Sequence, residues 1–381
     1  MHELESAGFG VFLVNARHTK NLPGRKTDVL ECQWLMCLHT YGLLRDSFHP
    51  PAEIDRLRRL WRQRDDDVKQ AARCIQQMQK ALVLMNVQLH NAISDLRGKT
   101  GQGIIQAILR GERDAQQLAV KYRDPRIHAS VEEIARSLEG RWDEQGLHEL
   151  QRAVDAFTFY QERLVECDQR TLRYLQALPT KAPVQPAASP QSDGPVPQTP
   201  PEKRRKKRSG KLAPSVDFSD EHQRIFGVDL TRIPGIDVVS AQTVLSELGP
   251  DLQAWATEKH FTSWLGLAPR PRISGGRVLG HDREPVRNRV AEVLRLAATT
   301  LLKSQSYLGA RYRYLRMTRR AGIATKAMAR QLACLIFRTI RYGQQWVDRG
   351  AAEFEEKRRQ RELASLQRKA AQLGFRIQPA A

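Results

Sequence analysis

The sequence predicts a mainly helical chain with an incomplete N-terminal α/β part, a long helical coiled-coil arm and a helical C-terminal domain. Three observations predict it. Apolar residues recur at three- and four-residue steps from about position 51 to 178. Only one β-rich run, Gly10-Val-Phe-Leu-Val-Asn15, stands near the start. A Pro/Ala/Ser/Gln-rich stretch running into a basic block then separates this first part from a second compact, mostly helical part.

Residues 1–50 open with a short amphipathic piece, continue through the 10–15 run as a strand, and cross a polar loop into Asp28 to Leu44, which has helical spacing. A parallel sheet needs several strands buried on both faces, so one strand cannot complete an α/β layer. Unpaired edges and uncovered apolar surface predict low stability around residues 1–48. Residues 51–178 form the arm. Leu57, Leu60, Trp61, Val68, Ile75, Met78, Leu82, Met85 and Leu89 make the stripe of a first long helix, which the glycines around Gly98 to Gly103 break. A second helical stretch from about Leu147 carries Leu150, Val154, Phe157, Leu164, Thr171 and Leu175 along one side. Such stripes serve either packing within the chain or a dimer contact.

Residues 179–217 read as a linker too poor in apolar residues to fold alone. Its basic block, Lys203, Arg204, Arg205, Lys206, Lys207 and Arg208, suits counterion-releasing contact with nucleic-acid phosphates better than a localisation signal. Residues 218–346 form the C-terminal domain. Residues 347–381 hold a charged helix whose narrow strip, Leu363, Leu366, Ala370 and Leu373, either packs back on the domain or pairs with a partner helix.

Charge limits the partners. With 62 Lys and Arg against 42 Asp and Glu, the 381-residue chain carries a formal +20, and a polyanion is the natural ligand. The chain has no long uncharged apolar run, so nucleic acid is favoured over a membrane. Cys32, Cys37, Cys74, Cys167 and Cys334 show no zinc-ligand spacing and read as thiols of a reducing compartment. Glu3 and Glu5 stand where a signal peptide would be basic, so a cytoplasmic, nucleoid-associated protein is expected.

Three motifs could carry chemistry. Ile233 and Ile236 bracket the turn Pro234-Gly235, the form of a helix-hairpin-helix whose next helix start could offer N–H groups to a phosphate. Ser274, followed by Gly275 and Gly276 and flanked by Arg270, Arg272 and Arg277, could be a nucleophile on an exposed turn amid positive charge, or simply a turn residue. Asp28 and Glu31, three apart at a helix start, share a face that could accept Mg2+ or Mn2+, or could merely complement the helix dipole. No Arg…His-x-x-Arg…Tyr series of a tyrosine recombinase is present, and Tyr312 and Tyr314 are expected to pack or stack.

In combination these motifs resemble the transposases of insertion sequence family 110, which include the Piv/MooV invertases. Gly24-Arg-Lys-Thr-Asp-Val-Leu-Glu-Cys-Gln-Trp-Leu35 and Tyr41-Gly-Leu-Leu-Arg-Asp-Ser-Phe-His-Pro50 look like the second half of that family's RuvC-like (RNase H-like) DEDD domain. Ile233-Pro-Gly-Ile236, Trp264-Leu-Gly-Leu-Ala-Pro269 and Ser274-Gly-Gly276 look like its C-terminal transposase domain. The resemblance implies metal-dependent DNA strand cleavage and exchange. Asp28 and Glu31 would be the third and fourth metal-binding acids, Ser274 the nucleophile and Mg2+ (or Mn2+) the cofactor. It also implies a structured guide RNA and a homodimer or tetramer assembled through the helical arm. Two departures stand out: Glu31 replaces the usual Asp, and the first two acids would precede Met1. The chain as given is therefore expected not to recombine DNA, as the product of a late start or a decayed copy. The rival reading is a non-enzymatic DNA- or RNA-binding protein.

Overall fold

A computed structural model describes residues 2–15, 28–44, 46–181, 212–269, 271–281, 288–343 and 348–376. The basic block 203–208 and Arg270 lie outside them. The fold is mainly helical, and its one described sheet is a two-stranded hairpin. The chain divides into two units. One comprises the described residues of Met1–Arg58, Leu178–Ser189 and Ser219–Ala381; the other comprises those of Arg59–Ala177 and Pro190–Phe218.

At the N-terminus, α1 (His2–Ser6) and α2 (Asp28–Thr40) are helical, but the strand predicted at 10–15 does not form among the described residues. Local β propensity persists only where a neighbouring strand completes the ladder. Here the run is met by a loop, with an N–H from Ser47 to the Leu13 carbonyl at 2.7 Å and one from Leu13 to Asp46 Oδ1 at 3.0 Å. Phe9, Phe12, Val29, Met36, Tyr41 and Leu43 are exposed, the uncovered apolar surface that the sequence predicts for this region.

The second unit is built on the long helices α3 (Ala52–Leu84) and α8 (Glu144–Ala177). The stripe members Leu57, Trp61, Met78, Leu82, Met85 and Leu89, and all six named on α8, are buried within the chain, while Leu60, Val68 and Ile75 are half-buried. Four short helices fill the space after α3: α4 (Leu89–Ala92), α5 (Lys99–Leu109), α6 (Ala115–Tyr122) and α7 (Val131–Ser137). Ser130 and Glu133 cap α7 reciprocally, each side chain accepting the other's backbone N–H.

The glycines at 98–103 do not break α3, which ends earlier, at Leu84. Gly98 caps α5, and Gly101 and Gly103 lie inside it. Their role is close approach: a Cβ at Gly101 would stand 2.5 Å from the Leu96 carbonyl oxygen. Gly101→Ala is therefore expected to destabilise this unit by about 1–3 kcal/mol, read as a lower urea midpoint at unchanged slope.

In the first unit, α9 (Ser219–Phe226), a 3-10 turn (Leu230–Arg232), α10 (Val238–Leu248) and α11 (Glu258–Trp264) precede the hairpin, and α12 (Arg289–Thr300), α13 (Tyr307–Thr318), α14 (Ala321–Tyr342) and α15 (Gly350–Gln372) follow it. α12 packs against α14 and α10, and α14 also against α11. This core also takes in the chain up to Arg58, so the first turns of α3 belong to it and not to the arm predicted from residue 51. Ile54 and Leu57 are buried in this core, Phe48 lies against Trp255 and Trp264 at ring distances of 4.7 and 5.6 Å, and Arg58 bonds the Glu247 carbonyl at 2.7 Å. α15 packs back at its start, where Phe354 is buried against Tyr307 and Tyr314, and leaves Leu363, Leu366 and Leu373 exposed.

Candidate functional site

Ser274 closes strand β1 (Pro271–Ser274), which pairs with β2 (Arg277–His281) in an antiparallel hairpin. The register sets Ser274 opposite Arg277, Ile273 opposite Val278 and Arg272 opposite Gly280, with Leu279 the extra residue of a bulge. Gly275 and Gly276 have φ of 54° and 73°, and a two-residue turn with positive φ at both positions matches the twist of the strands it joins. A Cβ at either position would meet nothing within 4 Å, so backbone conformation, not crowding, calls for glycine here.

Alternation along the strands places Ser274, Arg277 and Arg272 on one face and Ile273 with Val278 on the other. All five are exposed.

The hairpin springs from a fixed base. Leu265 and Leu267 are buried, Gly266 ends α11 with φ of 67°, and the N–H groups of Leu267 and Ala268 both donate to the Thr262 carbonyl, at 3.0 and 3.1 Å. Trp264 lies 4.9 Å from Trp255 between ring centroids. On the far side, Asn288 caps α12 by accepting the Ala291 N–H at 3.2 Å. The Trp264 to Pro269 motif thus anchors the strand that carries the serine.

The Pro234-Gly235 turn lies against α12. Gly235 has φ of 91°, and a Cβ there would stand 2.9 Å from the Ala297 carbonyl, so the turn packs closely on the end of α12. The start of α10 is capped by Asp237, whose Oδ1 accepts from the Ser240 N–H at 2.8 Å and hydroxyl at 2.6 Å. A carboxylate at that place satisfies the first-turn N–H and the helix dipole. The close approach explains the glycine at 235.

Asp28 and Glu31 occupy the first turn of α2, Asp28 exposed and Glu31 half-buried. They belong to one turn of one helix, and Ser274 to a separate hairpin. Among the described residues no group of three or more His, Cys, Asp or Glu side chains could hold a metal ion. Mg2+ is commonly held by one or two carboxylates with water and phosphate oxygens completing its six ligands, so Asp28 and Glu31 could supply two of them.

Two features escaped the sequence reading. Arg338 on α14 forks onto Glu258 on α11, Nε to Oε2 at 2.7 Å and Nη2 to Oε1 at 2.9 Å, and these bonds hold the Glu258 carboxyl below its ordinary range. The pair ties α11, and so the hairpin base, to α14. Eighty residues separate its members, so no local pattern could reveal it. The second is a cationic surface where α13 meets α14: Arg316, Arg319 and Arg320 are exposed together, a cluster already visible as Arg316-Met-Thr-Arg-Arg320. The two tyrosines are structural. Tyr312 is buried with its hydroxyl 2.9 Å from Thr325 Oγ1, and Tyr314 lies under the Arg358 guanidinium.

No helix among the described residues is long and apolar enough to cross a membrane. No curated protein matches the chain. Residues 229–313, from the cap of the 3-10 turn through the serine hairpin and α12 into α13, match the family model described as Transposase IS116/IS110/IS902 family. That segment, which holds the serine hairpin and the helix that follows it, is what the chain shares with this transposase family.

Proposed function

We propose that Ser274 is the nucleophile of this transposase and that its hairpin meets a DNA phosphodiester. The observation that carries the reading is the placement of the hydroxyl: on a solvent-facing strand end, opposite Arg277, inside the segment that matches the transposase family. In the step, Ser274 Oγ forms a bond to phosphorus, the bond from phosphorus to one ribose oxygen breaks, the serine proton passes to water, and the leaving oxygen takes a proton. One phosphodiester replaces another, so no oxidant or energy source is needed. Arg272 and Arg277 would hold the phosphate and offset charge on its equatorial oxygens as the attack proceeds. No step is assigned to a metal. Mg2+ bound at Asp28 and Glu31 would need further oxygen ligands, from DNA or water. The formal +20 charge suits DNA and equally the structured RNA that the family resemblance implies as a guide.

The arginines can be tested apart from chemistry. Arg272→Ala and Arg277→Ala should each weaken duplex binding and flatten the plot of log affinity against log salt by about one unit, measured by fluorescence anisotropy. Unchanged slopes in both variants would place the phosphate contact elsewhere on the chain.

A further inference from the structure

The hairpin that carries Ser274 also exposes two large apolar side chains that nothing in the described chain covers. Ile273 is 63% exposed and Val278 59%, and the register sets them side by side. Leu279, the bulged residue next to them, is exposed as well. The tip beyond is two glycines with open space around both, so no side chain obstructs a close approach. A narrow, twisted ribbon thus separates an apolar face from a face bearing Arg272, Ser274 and Arg277.

We propose that this hairpin is a wedge, in which Ile273 and Val278 enter a DNA base stack while the opposite face holds the adjoining phosphate. The inference rests on the DNA reading above and adds how the duplex is opened beside the reacting phosphodiester. A two-stranded ribbon is of a size to enter a DNA groove. Apolar side chains of this kind insert between base steps, and the unstacking cost is offset by contacts that the distorted duplex then makes. Charge selects DNA over a second copy of the chain. Docking the apolar face on another protomer would bring together two chains that each carry +20, whereas DNA offers apolar base faces directly beside neutralising phosphates. The pairing also has a mechanical use. Unstacking a step beside the scissile phosphate frees its ribose to turn toward in-line attack by the hydroxyl on the ribbon's other face.

The test uses the full chain on duplex DNA from the sequence flanking its coding region, with two readouts: anisotropy for binding and permanganate oxidation for thymines that have lost stacking. The wild-type chain should create permanganate-reactive thymines. The double variant Ile273→Ser/Val278→Ser, whose circular dichroism should be unchanged because both positions are exposed, should lose that reactivity while binding within about tenfold of wild type. Binding without reactive thymines in the wild type overturns the wedge and leaves the DNA reading intact. Absence of binding overturns both. A double variant with the wild-type reactivity pattern removes these two side chains from the role. If instead the variant changes the sedimentation of the DNA-free chain, the apolar face is a contact between protomers and the wedge fails.

Discussion

Replacing Ser274 with alanine is expected to abolish covalent attachment of DNA to the chain, a loss of roughly a thousandfold or more, while duplex affinity stays at the wild-type value. The two effects separate because the side chain is exposed and ends a strand that is held through its backbone and its glycine turn. Removing one oxygen there leaves the fold, the arginines and the apolar face in place, yet no other atom of the hairpin can form the phosphoester. The measurement is a denaturing gel of end-labelled duplex from the coding region's flanks, incubated with the chain in Mg2+ or Mn2+ and scored for label that migrates with protein. Attachment is the first half-reaction, so it reports on the serine even where strand exchange does not follow. Label retained in the alanine variant, or absent from the wild type, sinks the nucleophile assignment.

The hairpin also shows which parts of the site were open to sequence reasoning. Ser274-Gly-Gly276 was readable as a turn because only glycine adopts positive φ at two successive positions without strain, and the flanking arginines were readable as charge. That the turn would be a two-residue hairpin, with Ile273 and Val278 facing away from the serine, required the register. The long helices were legible for a similar reason: a 3.6-residue period names the buried face of α3 and α8. It does not name the partner of that face, and so the stripe suggested a dimer seam as readily as a core.

Glycine misled at 98–103, where it was read as a breaker. Inside α5 its missing side chain lets the Leu96 backbone come close, a tertiary demand that overrides helix propensity. The strand at 10–15 failed for the opposite reason, because a β pattern is a statement about neighbours that the described chain does not supply. At Pro234-Gly235 the sequence showed the turn but not its packing on α12 or the Asp237 cap, which are tertiary and local contacts that the motif does not spell out.

Least legible of all was the polar pair at the heart of the second unit, and it carries the largest expected effect on stability. Arg64 of α3 and Asp168 of α8 are both buried and bonded through Arg64 Nε, 104 positions apart in sequence. Asp168 Oδ2 also accepts the Ser215 N–H at 2.7 Å and hydroxyl at 3.1 Å, and Arg64 reaches the Leu212 carbonyl at 3.3 Å while lying over the Trp61 ring. The pair therefore fastens two helices and the 212–215 segment at one point. Asp168→Ala strands a guanidinium away from water and leaves the Ser215 donors unpaired, and is expected to cost about 3–5 kcal/mol. The Arg64→Met/Asp168→Leu double variant removes both charges and should recover most of that loss, since apolar residues of similar volume replace a buried ion pair at little cost. Urea unfolding followed by circular dichroism measures both. If the single variant unfolds at the wild-type midpoint, water reaches Arg64 and the network is not buried in solution. If the double variant is as unstable as the single, the pair's energy resides in its bonds to Ser215 and Leu212, not in the cancellation of two charges.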